Sequence, residues 1–360
     1  MKSVKLSDLR GLRSMSIDKD MIDDVIKFEK DLPIPEVPPG GARVKVCYAG
    51  ACYFQDEHKN NPPPSPVNVK GIKDTSLFSG FEVSGLIDEL SETCSKEKGF
   101  KVGDRVIIYP YPGLTISGYS EYVAVHDVRY LIKVQDNVPL DVAAMLPAGG
   151  LAAESAIIKA RPFIENMLLS QDKLTIIIVG SGGLALWTLK FAKYMAEKDN
   201  IAKDKIRIVI ACTNEAGLLT ALDEGCHDVV HWNEGEFEQN LLQRTRNVCL
   251  GYANIIIDFV SSHRTVQRSL RCLADGGVLF VGGLSGADVR IPLRPLAVHS
   301  HSIVGVGRGT EEQLAGLVTK VSQGIIVPPP FTVFPIEKAG EVVRRLSHGE
   351  IKGRAVLKVL

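Results

Sequence analysis

The feature that most constrains this chain is a continuous apolar run, Leu174–Val179, followed at once by Gly180-Ser181-Gly182-Gly183-Leu184-Ala185. Such a run reads as a strand buried on both faces. The loop has the spacing G-x-G-x-x-A and opens a helical pattern over 184–197. Gly180 permits the tight turn, Gly182 lets backbone approach a pyrophosphate, and Ala185 is small enough for helix to pack on strand. The pyrophosphate would sit on the helix N-terminus, where free N–H groups and the dipole favour an anion. Gly180, Ser181, Gly182, Gly183 and Leu184 are therefore candidate cofactor-binding residues. The bland alternative is a glycine-rich turn with no ligand. Context argues against it. Strand patterns at Ile206–Ala211, Asp228–Val230, Ile255–Phe259, Val278–Val281 and Ser302–Val306 alternate with helical ones. That alternation predicts a doubly wound parallel sheet.

The end of the second strand bears on cofactor choice. An acid there would bind the adenosine ribose hydroxyls and repel a 2′-phosphate. The sequence instead reads Ala211-Cys212-Thr213-Asn214. Thr213 and Asn214 do not repel a phosphate, so the expectation is NADP(H), with NAD(H) second. Two features limit that lean: no Arg or Lys follows closely, and Glu215 does. Val260, Gly282 and Val304, at the ends of later strands, are further cofactor-binding candidates.

Residues 32 to 135 read differently. Short strands (Arg43–Ala49, Gly80–Leu90, Arg105–Tyr109, Gly118–Val125, Leu131–Val134) lie between glycines and prolines. Residues 59–76, rich in Pro, Asn and Ser, make a loop, either a binding loop or a tolerated insertion. Asp141–Ile158 has helical composition, and 332–360 reads as strand, helix, strand. The fold class expected is α/β, in two domains. The first spans 1–160 and is completed by 331–360; the nucleotide domain spans 161–330. With 360 residues the chain is long enough for both.

The 42 basic and 42 acidic residues cancel, which argues against nucleic acid or an anionic membrane as partner. No apolar run approaches the roughly 20 residues of a membrane span. The basic N-terminus has no apolar core behind it, so it is not a secretory signal. Seven scattered cysteines without a CxxC pair point to a reducing, cytoplasmic setting.

Several motifs fall in order: GFEVSG around Phe81 and Glu82, FKVGDRV (Phe100–Val106), GYSEYVAV (Gly118–Val125), GSGGLA, and a terminal GRAVLKVL. Together they resemble the medium-chain dehydrogenases/reductases over roughly residues 32 to 360. The resemblance implies a GroES-like catalytic domain, a Rossmann domain, and an active site in the cleft between them. It also implies that Ser302–Val306 pairs with its twin in a homodimer. Arg308 matches a family position near the nicotinamide, and Arg354 one that can reach the pyrophosphate.

Zinc-using members of that family take the catalytic ion with a cysteine after the first core strand, a histidine in G-H-E, and a later Cys or Asp. Cys52 matches the first position; Phe81 and Ala148 stand at the others. Neither has a lone pair for a metal, and a catalytic zinc needs three ligands of N, S or O type. The four-cysteine structural lobe is also missing between Val106 and Gly118. The expectation is no zinc, with Glu82, Asp56 or His58 as substitute ligands otherwise. His299 and His301 fall outside the family's ligand positions and read as surface.

Without a Lewis acid, hydride transfer to a quinone or an α,β-unsaturated carbonyl remains accessible, because the charge forms on a conjugated oxygen that one donor can protonate. GFEVSG is similar to the quinone- and enone-reductase branch, which uses NADPH and no metal. Tyr53 is the first candidate donor, equally readable as a core aromatic. Cys52 marks the catalytic position and reads most simply as a small buried side chain. Tyr109, Tyr111 and Tyr119 are further candidates that read more simply as packing, and Phe54 and Phe81 would wall the pocket. Two other classes stay open: an alcohol dehydrogenase with atypical zinc ligands, and a non-enzymatic nucleotide-binding protein of this fold.

Overall fold

The computed structural model describes residues 32–52, 82–93, 99–110, 118–202, 204–283 and 289–360, and the backbone of 3–6 and 26–29. Strands β1 (Ser3–Leu6) and β2 (Ile26–Glu29) pair with each other, antiparallel. Then come β3 (Ala42–Ala51), β4 (Val83–Leu90), β5 (Arg105–Ile108), β6 (Tyr122–Val125) and β7 (Leu131–Lys133). Helix α1 (Leu140–Ala144), a π-helical turn (Leu146–Gly150) and α2 (Leu151–Leu168) follow. Strand and helix then alternate: β8 (Leu174–Val179), α3 (Gly183–Lys198), β9 (Ile206–Cys212), α4 (Glu215–Asp223), β10 (Asp228–His231), α5 (Glu238–Cys249), β11 (Ala253–Asp258), α6 (His263–Cys272), β12 (Leu273–Val281), α7 (Leu293–Val298) and β13 (Ser302–Gly305). The chain ends with α8 (Glu311–Ser322), β14 (Phe331–Pro335), α9 (Ala339–Ser347) and β15 (Arg354–Lys358).

Two compact units result, 1–151 with 310–360, and 152–309. The divisions fall earlier in sequence than the expected 160/161 and 330/331. The reason for the second shift is α8, which the sequence reading did not resolve. A Thr310–Gln313 capping box starts it. It then packs on the π-turn and β7 of the first unit. The Asn137 amide donates to the Ser322 carbonyl at 2.7 Å, and the Ser322 hydroxyl donates back to Asn137 Oδ1 at 2.8 Å.

The first unit is a seven-stranded sheet, β14-β15-β3-β4-β5-β7, with β6 also on β3. Alternation along β3 and β4 sends Ala42, Val44, Val46, Val83 and Ile87 into one buried cluster with Val106, Ile108 and Val123. β15, the last strand made, lies inside this sheet rather than at its edge. Gly353 precedes it with φ +73°, and a Cβ there would overlap the Pro330 carbonyl oxygen. Only glycine takes that turn without strain.

The expected helix over Asp141–Ile158 is interrupted. Pro147 has no N–H, and Gly149 and Gly150 add no side chain to hold a regular ladder. The Met145 carbonyl accepts from Gly150 at 3.1 Å. That longer step releases the Gly149 N–H from the helix.

The second unit is a six-stranded parallel sheet in the order β10-β9-β8-β11-β12-β13. Numbered by appearance this is 3-2-1-4-5-6, the doubly wound nucleotide-binding order. Every residue of β8 and of β11 is buried, the composition of a sheet covered on both faces. Asp258 is in register with both Val179 and Val281, Val281 with Gly305, and Val179 with Ala211. The carboxyl ends are therefore level. β13 is an edge strand with three of its four residues exposed. Among the described residues no helix is long and apolar enough to cross a membrane. The six described cysteines are free thiols.

Candidate functional site

In the first unit, strand register builds one polar cluster. Ala51 faces Ala355 across β3 and β15, so Cys52 and Arg354 are the next residues at that end. Ala49 faces Val83 across β3 and β4, and the Gly50 N–H donates to the Glu82 carbonyl at 2.8 Å. The side chains of Cys52, Glu82 and Arg354 thus meet. The Arg354 guanidinium pairs with the Glu82 carboxylate through Nη2 and Oε2, with the two side chains only 8% and 1% exposed. The freed Gly149 N–H donates to Glu82 Oε1 at 2.6 Å. The Cys52 thiol lies 3.6 Å from Glu82 Oε2, and Arg354 Nη1 donates to its sulfur at 3.5 Å. A Cβ on Gly50 would overlap the Glu82 carboxylate, so glycine there gives the acid its place.

Tyr119 closes the cluster from behind. It is fully buried; its hydroxyl donates to the Gly50 carbonyl at 3.0 Å and accepts the Cys52 N–H at 3.3 Å. Burial, with Cys52 beside it, pushes the phenol well above its ordinary range. Its reading as packing holds, and it fixes the backbone that carries Cys52. Tyr109 stacks on Tyr130 with ring centroids 6.3 Å apart. Tyr53, Phe54, Asp56, His58, the 59–76 loop, Phe81 and Tyr111 lie outside the described residues.

Among the described residues the donor set does not fit a catalytic zinc. Ala148 offers no lone pair, and the Glu82 carboxylate is already shared between a guanidinium and a backbone amide. Among the described residues no group of three or more His, Cys, Asp or Glu is placed to hold a metal ion. What the cluster can do is hold a thiol and a neutralised ion pair in a dry setting.

The nucleotide candidates collect on the carboxyl edge of the parallel sheet in the second unit. Gly180 has φ +111°, which only glycine takes freely, and its N–H donates to the Ala211 carbonyl at 2.8 Å. A Cβ on Gly182 would meet nothing within 4 Å, so the loop's outer side is open. Gly182 is also the N-cap of α3 without a side-chain cap, which leaves the N–H groups of the first turn for a ligand. Gly183 is buried, Leu184 half-buried, and Ala185 packs under the turn. The Ser181 hydroxyl bonds the Cys212 thiol and lies where a Cβ on Gly217 would be.

At the end of β9 Thr213 is exposed, and Asn214 caps α4 by accepting the Gly217 N–H at 2.9 Å. Asp258 accepts from the Val260 and Ser261 amides at 2.9 and 2.8 Å and so shapes the turn carrying Val260. Burial pushes its carboxyl up against those hydrogen bonds. Gly282 fits between the Phe259 ring and Val306. Val304 lies in β13 and Arg308 is exposed beyond it. The structure therefore gathers Gly180, Ser181, Gly182, Gly183, Leu184, Thr213, Asn214, Val260 and Gly282 at one edge. Arg354, expected at the pyrophosphate, has its guanidinium on Glu82 and Cys52 in the first unit.

Sequence reasoning did not give Glu82 its part. The one signal was an acid immediately before a strand, beside a position where a ligand was expected. Breaking the pair should be costly. Arg354→Met leaves a buried carboxylate without a counter-charge and should lower stability by about 3–5 kcal/mol. The double change Glu82→Gln with Arg354→Met should cost less than Arg354→Met alone. Urea titrations of the three variants would show it, and equal stability of Arg354→Met and the unaltered protein would contradict the assignment.

Residues 201–323 match the family model described as zinc-binding dehydrogenase. The chain is 28% identical over 356 residues to an NAD-dependent alcohol dehydrogenase of Sulfolobus acidocaldarius, covering 92% of this chain and 95% of that protein. It is 27% identical over 351 residues to a D-arabinose 1-dehydrogenase (NADP(+)) of Saccharolobus solfataricus, with 91% and 93% covered. It is 22% identical over 347 residues to a quinone oxidoreductase of Mus musculus, with 93% and 94% covered. The fold is that of the D-arabinose dehydrogenase crystal structure from Sulfolobus solfataricus, with a TM-score of 0.69, 22% identity, and all of both chains covered. A strand-rich unit completed by β15, a 3-2-1-4-5-6 parallel sheet and likeness to these dehydrogenases over nine-tenths of its length agree: the chain is an oxidoreductase similar to the zinc-binding dehydrogenases.

Proposed function

We propose that this enzyme transfers hydride from NADPH to a quinone or an α,β-unsaturated carbonyl without a catalytic zinc. The observation that carries the reading is the cluster at Cys52. The thiol's polar neighbours are a guanidinium and that guanidinium's own counter-ion. A site of this kind has no Lewis acid of its own to stabilise a simple alkoxide. It suits substrates whose developing charge is spread by conjugation. The quinone oxidoreductase relative supports this reading. Thr213, in place of an acid at the end of β9, supports NADP(H).

In this reading the α3 N-terminus and the Gly180–Ala185 loop bind the pyrophosphate, and Val260 and Gly282 line the path toward the nicotinamide. Tyr53, the neighbour of Cys52 in sequence, donates the proton to the substrate oxygen. A second reading, oxidation of an alcohol or a sugar, is favoured by the names of the two archaeal relatives.

One set of measurements separates the two readings. NADPH should bind more tightly than NADH in fluorescence titration, and NADPH oxidation should respond to enones or quinones. Elemental analysis should give well under one zinc per chain. Tighter NADH binding with one zinc per chain, and turnover of alcohols alone, would establish the second reading. Tyr53→Phe should lower turnover roughly ten- to a hundredfold with NADPH affinity little changed; unchanged turnover on every substrate would remove Tyr53 from the chemistry. We also propose that the exposed β13 edge pairs with a second copy, since an open edge strand is otherwise prone to uncontrolled pairing. A monomer in light scattering at micromolar concentration would refute it.

A further inference from the structure

We propose that His231 sets the preference for a 2′-phosphorylated nucleotide, acting as a cation only when its imidazole is protonated. The inference rests on the reading that the carboxyl edge of the parallel sheet binds a nicotinamide nucleotide. Sequence gave that edge no Arg or Lys directly after β9, which left a 2′-phosphate without a counter-charge. Register supplies one from the neighbouring strand.

His231 pairs with Cys212 across β10 and β9, so it stands beside the start of the Thr213 turn. Its Nε2 is 3.1 Å from the Thr213 carbonyl oxygen. A carbonyl only accepts, so Nε2 carries the proton and the neutral ring keeps its lone pair on Nδ1. Nδ1 is 3.8 Å from Glu215 Oε1, outside hydrogen-bond range, and the imidazole is 27% exposed. The next proton therefore lands on Nδ1. It creates a charge and a donor at the strand end where the adenosine ribose lies in this fold. A phosphate monoester there carries about −1.5 to −2 charges and strong acceptor oxygens.

Among the described residues, the cations around β10 are engaged with other groups. On α5, Arg244 Nη1 donates to the His231 carbonyl at 3.2 Å, but its guanidinium is held by both oxygens of Glu236 at 3.0 and 2.7 Å. At the far end of β10, Asp228 holds Arg207 at 2.8 Å. On α6, Arg264 donates to the Glu234 carbonyl in the loop after β10, at 3.3 and 3.2 Å. On α4, Glu215 is the acid facing the ring, with its side chain 83% exposed. Neutral His231 leaves Glu215 to repel a 2′-phosphate. Protonated His231 offsets Glu215 and offers the phosphate a charge-assisted hydrogen bond. Nucleotide choice therefore follows the charge on the His231 imidazole.

The test compares 2′,5′-ADP with 5′-AMP, probes that share adenosine and differ in the 2′-phosphate. Calorimetric titration at about pH 6 and about pH 8.5 gives the affinity ratio at each. The phosphate's own titration near pH 6 works against tighter binding in acid, so the readout is the difference between proteins. The ratio in the unaltered protein should exceed that in His231→Gln by roughly three- to tenfold at the lower pH, the screened end of a charge-assisted bond. At the higher pH the two should agree. His231→Arg should keep the ratio high at both, and Glu215→Gln should raise it at both. The same pH dependence in the unaltered protein and His231→Gln, with His231→Arg no different, would overturn the proposal. If neither probe binds to any variant at either pH, the nucleotide reading of this edge fails and takes the proposal with it.

Discussion

A carboxylate almost out of reach of water must find its charge balance inside the protein. Glu82 does so with Arg354, and much of the first unit is arranged to let it. The pair fixes the ends of three strands, because Cys52, Glu82 and Arg354 each flank or open one. It demands glycine at 50, where any side chain would take the carboxylate's space. It draws on the π-turn, which spends helical regularity to release the Gly149 amide. Tyr119 then pins the Gly50–Cys52 backbone from the other side. Buried pairs of this kind often do little for net stability, since desolvation offsets attraction. Their stronger effect is on uniqueness: a register slip in β3, β4 or β15 would separate the charges.

The second unit treats charge in the opposite way. Its sheet is largely apolar within, with Thr175 and Asn254 buried near the amino end and Asp258 at the carboxyl end, and further polar residues line the carboxyl edge. There the groups are exposed or half-exposed: Thr213, Asn214, Glu215 and His231. Water and salt screen them, and none is bound to one partner by burial as Glu82 is. The first unit's cluster is dry and committed, while the second unit's edge is wet and adjustable.

The parallel sheet was legible because its signals are local. A buried strand, a glycine loop and a small residue five positions after its first glycine can be read from Leu174 to Ala185 without knowing anything distant. The break at Leu146–Gly150 was less legible. Pro147 and the two glycines were visible, but helical composition on both sides masked them. Helix α8 had a visible start in Thr310–Gln313 and was still passed over, which moved a domain boundary. The Glu82–Arg354 meeting was not legible at all. It depends on β15 lying antiparallel beside β3, a pairing between residues at opposite ends of the chain. His231 was hidden for the same reason, since only the β9–β10 register brings it to Thr213.

The position of β15 has a consequence for how the chain comes into being. β15 follows every other described strand in sequence, and it sits between β14 and β3. Until β15 is made, the stretch Tyr48–Ala51 of β3 lacks the partner that β15 supplies, and Glu82 waits without its guanidinium. The nucleotide unit, continuous from 152 to 309, has no such dependence on a distant segment. It is complete once its own residues have emerged. The unit begun first is thus finished only after the nucleotide unit has been made, and Arg354 meets the carboxylate that needs it later than any residue of 152–309.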